Sequence, residues 1–241
     1  MGRISFDNFG RLAAATTDPA AVTMRYATQL RDERLILRDV IEKLEIGPDD
    51  DLLEIGCGPG TTLVPLAFLC ASATGIDHED VLGVLARRFV GPPTITLLPG
   101  NFLDLALERT YSRILVYSVL HYLDGIDEAI TFSLKAAELL TPGGRLLLGD
   151  LPNADRKRRF HDSDAGRLFQ EEWALRAAGD GSTVAVELRD DEQMLGAFDD
   201  AGLARLVLAL RSAGFESYLL AQPPGLPFGF TREDVLVTAP A

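Results

Sequence analysis

Apolar runs alternate with segments of helical periodicity through the middle of the chain. Asp51–Ala67 opens this pattern with a short apolar run that ends in Glu54, a glycine-rich turn and an apolar segment of helical character. Further strands and helices are predicted at Ala73–Ile76, Glu79–Phe89, Thr94–Leu98, Tyr111–Tyr117, Ile126–Leu140 and Arg145–Leu148. Elements alternating at this spacing predict a parallel, doubly wound sheet with right-handed crossovers.

The two ends of the chain depart from this alternation. Met1–Thr17 shows no clear periodicity, and the segment from Asp18 to Leu44 predicts one or two helices. Near the other end a helix and two strands are predicted, at Met194–Ala213, Gly214–Leu220 and Glu233–Thr238. The segment that joins the two strands is too short for a crossover helix, so we expect an antiparallel pair at the edge of the sheet.

Leu151–Phe198 interrupts the alternation and is rich in charged residues. A helix is predicted around Ala165–Ala178 and a strand at Ser182–Leu188. The segment also carries Trp173 and several apolar residues, which a flexible linker would not need. We therefore expect an insertion or cap in this part of the chain.

Charge and composition indicate which kinds of binding partner are disfavoured. The 36 acidic and 23 basic residues give a net charge of −13, which disfavours attraction to nucleic acid or to an anionic membrane. The longest apolar stretch, Leu63–Ala73, is well short of the ~20 residues that a membrane helix needs. The first residues are polar and lack the apolar core of a signal peptide. These features predict a cytoplasmic protein with no membrane or nucleic-acid partner, and they leave homodimerisation open.

The glycine turn is the strongest sign of a ligand. Gly56, Gly58 and Gly60 occupy alternate positions, and glycine lets a backbone turn tightly and approach a bound molecule. A dinucleotide fingerprint would place its third glycine at position 61, which is Thr61, and a phosphate-binding loop with its lysine is absent. The spacing therefore argues against both kinds of nucleotide site. The alternative that the glycines only permit a tight turn remains open.

Several separated motifs resemble those of the class I S-adenosylmethionine-dependent methyltransferases. They are LLEIGCGPG around the glycine turn, Asp77 at the end of the second strand, GNFLD at Gly100–Asp104, VYSVLHYL at Val116–Leu123 and LTPGGRLLLGD up to Asp150. The resemblance implies a Rossmann-like, doubly wound sheet of seven strands, mostly parallel with an antiparallel edge strand, helices on both faces and an insertion after strand five. It also implies S-adenosylmethionine as the cofactor.

The resemblance implies a set of cofactor contacts. Asp77 would accept hydrogen bonds from the ribose, Asn101 would replace an aspartate that often meets the adenine amino group, and Phe102 would flank the adenine ring. The complete predicted set is Glu54, Gly56, Cys57, Gly58, Gly60, Asp77, His78, Asn101, Phe102, Ser118 and Val119, with Tyr26 from the N-terminal segment. For Cys57 the alternative is simply a small residue in the turn.

Methyl transfer to a hydroxyl needs a base near the ends of strands four and five. His121 and Asp150 are the candidates: His121 as the base, and Asp150 either as the base or as the group that orients His121. The alternative for His121 is a residue at the start of a helix, bonded to backbone. Members of the resembled family of the catechol type hold a magnesium ion with several Asp and Asn ligands near these strand ends. Asp150 and Asn153 are present here but no acidic residue stands at positions 117–119, so no metal is expected.

The acceptor is expected to meet the insertion. Arg156–Arg159 is a basic run in an acidic protein, and arginine recognises phosphate and carboxylate groups. Asn153, Arg158, Arg159 and His161 are the predicted substrate-binding residues. The alternative is a solvated helix face whose arginines pair with Asp162, Asp164, Glu171 and Glu172.

The run from Gly149 to Phe160 and the late TREDVLV segment resemble bacterial methyltransferases associated with surface-polysaccharide or sugar biosynthesis. The resemblance implies O-methylation of a small sugar-like or phosphorylated acceptor. A natural-product O- or N-methyltransferase, and a non-catalytic partner protein that binds S-adenosylmethionine, are the alternatives. The implied division is an N-terminal helical segment or lid at 1–47, a cofactor-binding core at 48–150, an acceptor-site cap at 151–198, and the last helix with the edge strands at 199–241.

Overall fold

The computed structural model describes residues 3–16, 18, 22, 30–89, 91, 93–177 and 198–241. At its centre lies one seven-stranded sheet in the order β3-β2-β1-β4-β5-β7-β6. The strands are β1 Asp51–Ile55, β2 Ser72–Asp77, β3 Ile95–Pro99, β4 Tyr111–Tyr117, β5 Leu140–Pro152, β6 Glu216–Ala221 and β7 Arg232–Thr238. Strands β1 to β5 are parallel to one another, whereas β7 runs antiparallel to both β5 and β6. The predicted fold class is confirmed.

Eight helices surround the sheet in the part of the chain that the structure describes. They are α1 Arg3–Ala15, α2 Leu30–Leu44, α3 Leu63–Ala67, α4 Glu79–Arg88, α5 Ile126–Ala137, α6 Ala154–His161, α7 Asp164–Ala177 and α8 Asp200–Ser212. Two short 3₁₀ turns, Phe102–Asp104 and Leu120–Tyr122, follow β3 and β4. Among these described helices, none has both the length and the apolar character required to span a bilayer.

Both faces of the sheet are buried, which explains why its central strands are apolar at successive positions. On one face α2, α3 and α4 cover Leu52, Leu115 and Leu147. On the other face α5 and α8 cover strand residues that adjoin these in sequence, such as Leu53 and Ile114. Two cores therefore hold the strand ends in fixed positions.

Two predicted boundaries in this region are wrong. Strand β5 already begins at Leu140 and continues to Pro152, although the sequence predicted only a four-residue strand at Arg145–Leu148. Pairing explains the length: Leu140 lies opposite Tyr111 of β4, and Pro152 lies opposite Arg232 of β7. Between Leu140 and Arg145 the register with β4 shifts, so the strand takes up the intervening residues as an irregularity.

The ends of the chain also differ in part from expectation. Helix α1 forms where the sequence showed no periodicity, and α6 forms directly after β5. Helix α7 confirms the helix predicted around Ala165–Ala178. The predicted antiparallel pair is confirmed as β6 and β7, with β7 placed between β5 and β6. The strand predicted at Ser182–Leu188 lies outside the described residues.

The order of the strands places a ligand site at one edge of the sheet. The chain moves outward from β1 through β2 to β3, then returns to the other side of β1 with β4. Open α/β sheets bind ligands outside the carboxyl ends of the strands where this order reverses. The glycine turn after β1 stands at that position.

Candidate functional site

A cavity of about 370 Å³ opens at the carboxyl ends of β1, β2 and β4, beneath α1 and α2. Pockets of a few hundred Å³ suit small ligands. Described residues that line it are Phe9, Val22, Arg34, Ile36, Leu37, Glu54, Gly56, Cys57, Gly58, Thr61, Thr62, Asp77, Val81, Arg88, Tyr117, Ser118, Val119 and Tyr122. Seven of the residues predicted to contact the cofactor are among them, Gly60 being the turn residue left out.

The glycine turn forms the floor of this cavity. Gly56, Gly58 and Gly60 all have positive φ, at 77°, 55° and 80°, a conformation that L-residues with a side chain rarely adopt. The Gly56 and Cys57 N–H groups donate to the carbonyl of Ile76, which ties the turn to β2. A Cβ on Gly56 would lie 2.4 Å from Cγ2 of Val119. The turn therefore needs glycine both for its backbone and for its close contact with the segment after β4.

Asp77 fixes the turn from the neighbouring strand. Its carboxylate accepts hydrogen bonds from the backbone N–H groups of Gly58 and His78, each at 2.7 Å. Burial raises the pKa of this carboxyl group, and the two N–H donors oppose the shift. Asp77 lines the cavity, and a carboxylate oxygen can accept more than one hydrogen bond. It is therefore placed to accept bonds from the hydroxyl groups of a ligand.

Glu54 is the second buried carboxyl group of the cavity. Its side chain is 2% exposed, and no hydrogen-bond partner is found for Oε2 among the described residues. Burial raises its pKa to about 8, Thr62 opposes the shift by hydrogen bonding, and the nearby charge of Asp77 adds to it. A buried carboxylate without a partner is costly. The position therefore suits a ligand that carries a cationic group.

Ser118 and Asp150 meet at the ends of β4 and β5. Ser118 lines the cavity, and its hydroxyl is hydrogen-bonded to Oδ2 of Asp150. Asp150 is 2% exposed and lies behind Ser118, where Nη1 of Arg232 approaches the same oxygen at 3.0 Å. Asp150 thus touches a residue of the cavity wall but is not among the described lining residues.

His121 is placed differently from the sequence expectation of a base in the cavity wall. It is 2% exposed within the 3₁₀ turn Leu120–Tyr122, with its ring centroid 4.2 Å from that of Tyr122. The described lining contains Tyr122 but not His121. The 3₁₀ turn places Tyr122, and not His121, in the cavity wall. A catalytic role for His121 stays a prediction.

Three predicted cofactor residues make local structural contacts outside the described lining. Asn101 accepts a hydrogen bond from the N–H of Leu103 and so caps a 3₁₀ turn. Phe102 is buried against Phe132, with ring centroids 4.8 Å apart. His78 caps α4 by accepting from the N–H of Asp80. Their cofactor contacts remain predictions, and Tyr26 lies outside the described residues.

The predicted acceptor residues lie on or next to α6, away from the described lining. Asn153 caps α6 and donates to Asp200 and Glu233 at 2.8 and 2.6 Å. Arg158 pairs with Asp155, and Arg159 with Asp200, both on the exposed surface. These partners differ from the four acidic residues that the sequence suggested for a solvated helix face. The substrate roles of Asn153, Arg158, Arg159 and His161 stay predictions.

Sequence reasoning missed several residues of the cavity wall. Phe9 and Arg34 come from helices that precede the sheet, and their distance in sequence from the glycine turn gave no signal. Tyr117 and Tyr122 lie within the VYSVLHYL segment but were not predicted as contacts, although their polar aromatic character was available as a signal. Phe9 and Tyr122 pack edge to face with centroids 5.0 Å apart, which joins α1 to the end of β4.

Part of the chain is similar to a known protein family. Residues 53–146 match the family described as methyltransferase domain. Nodulation protein S of Rhizobium tropici is 30% identical over 120 residues, which are 49% of this chain and 50% of that protein. The chain therefore spans about half the length of this relative.

Solved structures extend the likeness in fold to the whole chain. The N-methyltransferase NodS from Bradyrhizobium japonicum WM9, in complex with S-adenosylhomocysteine, has a TM-score of 0.62 at 18% identity, covering 98% of this chain and 99% of that chain. The phosphoethanolamine N-methyltransferase 1 of Haemonchus contortus, in complex with phosphoethanolamine and S-adenosylhomocysteine, has a TM-score of 0.71 at 17% identity, covering 100% of this chain and 50% of that chain. Residues 53–146 are therefore similar to a methyltransferase domain, and the chain shares its fold with these solved methyltransferases.

Proposed function

We propose that this protein is an enzyme that transfers the methyl group of S-adenosylmethionine to a hydroxyl or amine of a small polar acceptor. The observation that carries the proposal is the pair of buried carboxyl groups, Glu54 and Asp77, that share one cavity with the glycine turn. Glu54 offers an unpartnered oxygen, and Asp77 offers further acceptor positions beside the turn. The ammonium group at the amino-acid end of the cofactor and its ribose hydroxyls are complementary to these two groups.

The residues of the cavity divide between holding the cofactor and admitting the acceptor. Glu54 would hold the cofactor's ammonium group, the backbone at Gly56–Gly58 would lie beneath its amino-acid chain, and Asp77 would hold its ribose. When bound, S-adenosylmethionine supplies an electrophilic methyl group for in-line transfer to a lone pair. Tyr117, Ser118 and Tyr122 contribute polar groups at the β4 side of the cavity, where the acceptor would enter.

The charge of the acceptor is the next part of the proposal. Arg34 and Arg88 line the cavity, in a protein whose net charge is −13. Nη1 of Arg88 donates to the carbonyl of Pro59 at 2.7 Å, whereas Arg34 is an exposed residue of α2. An anionic acceptor, such as a phosphorylated amine or sugar, would be attracted by this pair. The phosphoethanolamine bound in one structural neighbour is a compound of this chemical type.

A crystal structure of the complex with S-adenosylhomocysteine tests the cofactor assignment. We expect the amino group within hydrogen-bond distance of Glu54 and the ribose hydroxyls within hydrogen-bond distance of Asp77. A ligand bound in the opposite direction, or outside this cavity, would overturn the assignment.

A methyl-transfer assay tests the charge of the acceptor. Phosphorylated amines and alcohols would be compared with their unphosphorylated counterparts, using S-adenosylmethionine labelled in the methyl group. With the preferred acceptor, Arg34→Ala should raise KM about tenfold, because it removes a charge-assisted hydrogen bond. Arg158→Ala and Arg159→Ala test the sequence expectation in the same assay. An acceptor preference for the unphosphorylated compounds would contradict the proposal of an anionic acceptor.

Two alternatives remain distinguishable by experiment. A natural-product methyltransferase would prefer apolar acceptors, and Arg34→Ala would then leave KM unchanged. A non-catalytic partner protein would bind the cofactor and transfer no methyl group to any small acceptor. O-methylation of a sugar in polysaccharide biosynthesis is a narrower form of the proposal, and its support is the sequence resemblance around α6.

A further inference from the structure

Two residues in strained backbone conformations stand side by side at the carboxyl edge of the sheet. Ser118 has φ of 58° and Asp150 has φ of 64°, and in the described residues only Glu45 is a further non-glycine residue with positive φ. This conformation costs a non-glycine residue about 1 kcal/mol or more, and such strain concentrates at functional sites. The two side chains meet at this edge, where Ser118 and Asp150 are hydrogen-bonded.

The direction of this hydrogen bond follows from the surroundings of Asp150. Arg232 approaches Oδ2 of Asp150 at 3.0 Å and also donates to the Asp150 carbonyl at 2.9 Å. In this ion pair the carboxylate of Asp150 can only accept hydrogen bonds. Ser118 must therefore donate its hydroxyl proton to Asp150. A hydroxyl oxygen that donates its proton in this way acts toward other groups as an acceptor, through its two lone pairs.

The position of Asp150 is fixed from behind by a buried network. Its backbone N–H donates to Oδ1 of Asp234 at 2.8 Å. Asp234 in turn accepts from Lys43 at 2.6 Å and from Gln222 at 2.9 Å. Because these partners restrain Asp150, Ser118 cannot easily reverse the direction of its own hydrogen bond. Ser118 is thus a preorganised hydrogen-bond acceptor in the cavity wall.

Ser118 also stands beside the glycine turn. The next residue, Val119, contacts Gly56 so closely that a Cβ on the glycine would lie 2.4 Å from Val119 Cγ2. A ligand that rests on the turn is therefore within reach of the end of β4. We propose that Ser118 accepts the hydrogen bond of the methyl acceptor's N–H or O–H group and aligns its lone pair with the cofactor methyl group, an inference that rests on the proposed function.

This arrangement selects the chemical class of the acceptor. Amines and alcohols carry the required proton, whereas a carboxylate does not and would meet the oxygen of Ser118 unfavourably. In the transfer, the lone pair of the acceptor forms the bond to the methyl carbon as the carbon–sulfur bond breaks and its electron pair remains on sulfur. With an alcohol, its proton passes to Ser118 Oγ while the Ser118 proton passes to Asp150. With an amine, the proton leaves the product ammonium to water.

A cofactor analogue tests this inference without knowledge of the acceptor. In sinefungin an amine-bearing carbon replaces the sulfonium and its methyl group, so an ammonium donor lies where the methyl group would be. Calorimetry would compare sinefungin with S-adenosylhomocysteine in the wild type and in Ser118→Gly. Glycine adopts positive φ without strain, so this variant removes the hydroxyl group with little risk to folding. We expect the preference for sinefungin over S-adenosylhomocysteine to fall about tenfold while the affinity for S-adenosylhomocysteine changes less than about twofold.

Each other outcome has a definite meaning. If both ligands bind and the preference is unchanged in Ser118→Gly, the inference is wrong and the proposed function stands. If Ser118→Gly weakens both ligands equally, Ser118 holds the cofactor, as the sequence resemblance implied, and the inference is overturned. If the wild type binds neither ligand, the proposed function is wrong, and the inference that rests on it is wrong as well.

Discussion

At the scale of single residues, the cavity holds two buried carboxyl groups that differ in how many hydrogen bonds they accept. Asp77 is bonded to two backbone N–H groups, whereas Oε2 of Glu54 has no partner among the described residues. The ligand-free protein therefore carries an unfavourable interaction at Glu54. A cationic ligand would relieve it, so the same residue that weakens the fold would strengthen binding.

The pH dependence of stability tests this account of Glu54. The pKa of Glu54 is about 8 in the folded protein against a usual value of 4.5, so its contribution to stability is fully present below pH 4.5 and is lost as the pH rises through 8. Glu54→Gln should therefore increase the unfolding free energy more at pH 8.5 than at pH 5.5, with a difference on the order of a few kcal/mol. Chemical denaturation at the two pH values measures the difference.

Glu138, an exposed residue after α5, provides the control. Glu138→Gln should change the unfolding free energy by less than about 0.5 kcal/mol at either pH. Equal effects of Glu54→Gln at both pH values would show that Glu54 is not held in its protonated form by burial.

Residue roles were predictable where a motif and a strand end coincide. Glu54 and Asp77 lie at or near the ends of apolar strands, and both line the cavity. The prediction for His121 had only its position after β4 as support, and the one-residue difference between His121 and Tyr122 depends on a 3₁₀ turn that no periodicity reveals. The contacts of Arg159 and Asn153 with Asp200 join residues that are far apart along the chain, so sequence spacing gave no indication of them.

At the scale of elements, the glycine turn combines a backbone requirement with two packing requirements. Gly56 faces Val119 after β4, and a Cβ on Gly60 would lie 2.3 Å from Leu85 of α4. The turn is thus a joint between the sheet and a helix as well as the floor of the cavity. A substitution there should affect folding and ligand binding together.

Alanine substitutions at two glycines distinguish the specific need for glycine in the turn from the effect on stability of replacing any glycine. Gly56→Ala should lower the unfolding free energy by at least about 1–2 kcal/mol, because its positive φ and the contact with Val119 both oppose a Cβ. The matched control is Gly83→Ala within α4, where the nearest atom would be 3.5 Å away and alanine should stabilise by about 0.5–1 kcal/mol. Thermal unfolding measures both, and similar effects at the two positions would contradict this account of the turn.

Helix α1 forms where the sequence showed no clear periodicity, and its residue Phe9 lines the cavity. The ring of Phe6 lies 4.9 Å from the ring of His78, and Gly10 is so close to the His78 ring that a Cβ would lie 2.3 Å from it. That α1 acts as a lid over the cavity remains a proposal. Disturbing the contact between Gly10 and His78 tests it.

Gly10→Ala should loosen α1 by opposing its approach to His78. We expect hydrogen exchange of residues 3–15 to accelerate about tenfold, with little change in the sheet. Ala14→Ser, an exposed change on the same helix, serves as the control. Unchanged exchange in Gly10→Ala would mean that α1 does not depend on this contact.

The lengths of elements were less predictable than their order. Gly143 and Gly144 favour a turn in isolation, and β5 passes through them as an irregularity: the register with β4 shifts between Tyr111 and Arg113, Gly143 has φ of 71°, and its N–H donates to the carbonyl of Pro240. Helix α6 has mostly polar residues and no buried side chain, so it lacks the apolar periodicity on which prediction relies.

At the scale of the whole molecule, the buried network at Asp234 joins elements that are far apart in sequence. Lys43 of α2 donates to Asp234 of β7 at 2.6 Å and to Asp39 at 2.5 Å. Burial by itself would lower the pKa of Lys43, but the two carboxylates more than offset it and leave the pKa raised. The network therefore fixes α2 to the strand that supports Asp150.

Lys43→Met should be strongly destabilising, because it leaves buried carboxylates without their cation. We expect a loss of roughly 3–5 kcal/mol, as for other buried pairs broken on one side. Arg38→Met removes an exposed pair with Glu42 on the same helix and should cost less than about 1 kcal/mol. Urea denaturation of the two variants measures the contrast, and equal losses would show that the Asp234 network does not stabilise the fold in this way.

The architecture of the molecule was largely predictable, because parallel strands buried on both faces leave a strong apolar signal. The order in which β7 lies between β5 and β6 depends on pairing across the sheet, and sequence supported only the antiparallel pair. The cavity itself was predictable at its floor, from the glycines and Asp77, and not at its roof, where α1 and α2 contribute Phe9 and Arg34.

The central claim is that the glycine turn binds S-adenosylmethionine and not a dinucleotide. Isothermal titration of S-adenosylhomocysteine and of NAD⁺ into the wild-type protein, under identical conditions, tests it most directly. We expect one site per chain for S-adenosylhomocysteine, weakened at least about tenfold in Asp77→Ala, and no saturable binding of NAD⁺. Saturable binding of NAD⁺ with none of S-adenosylhomocysteine would contradict the claim.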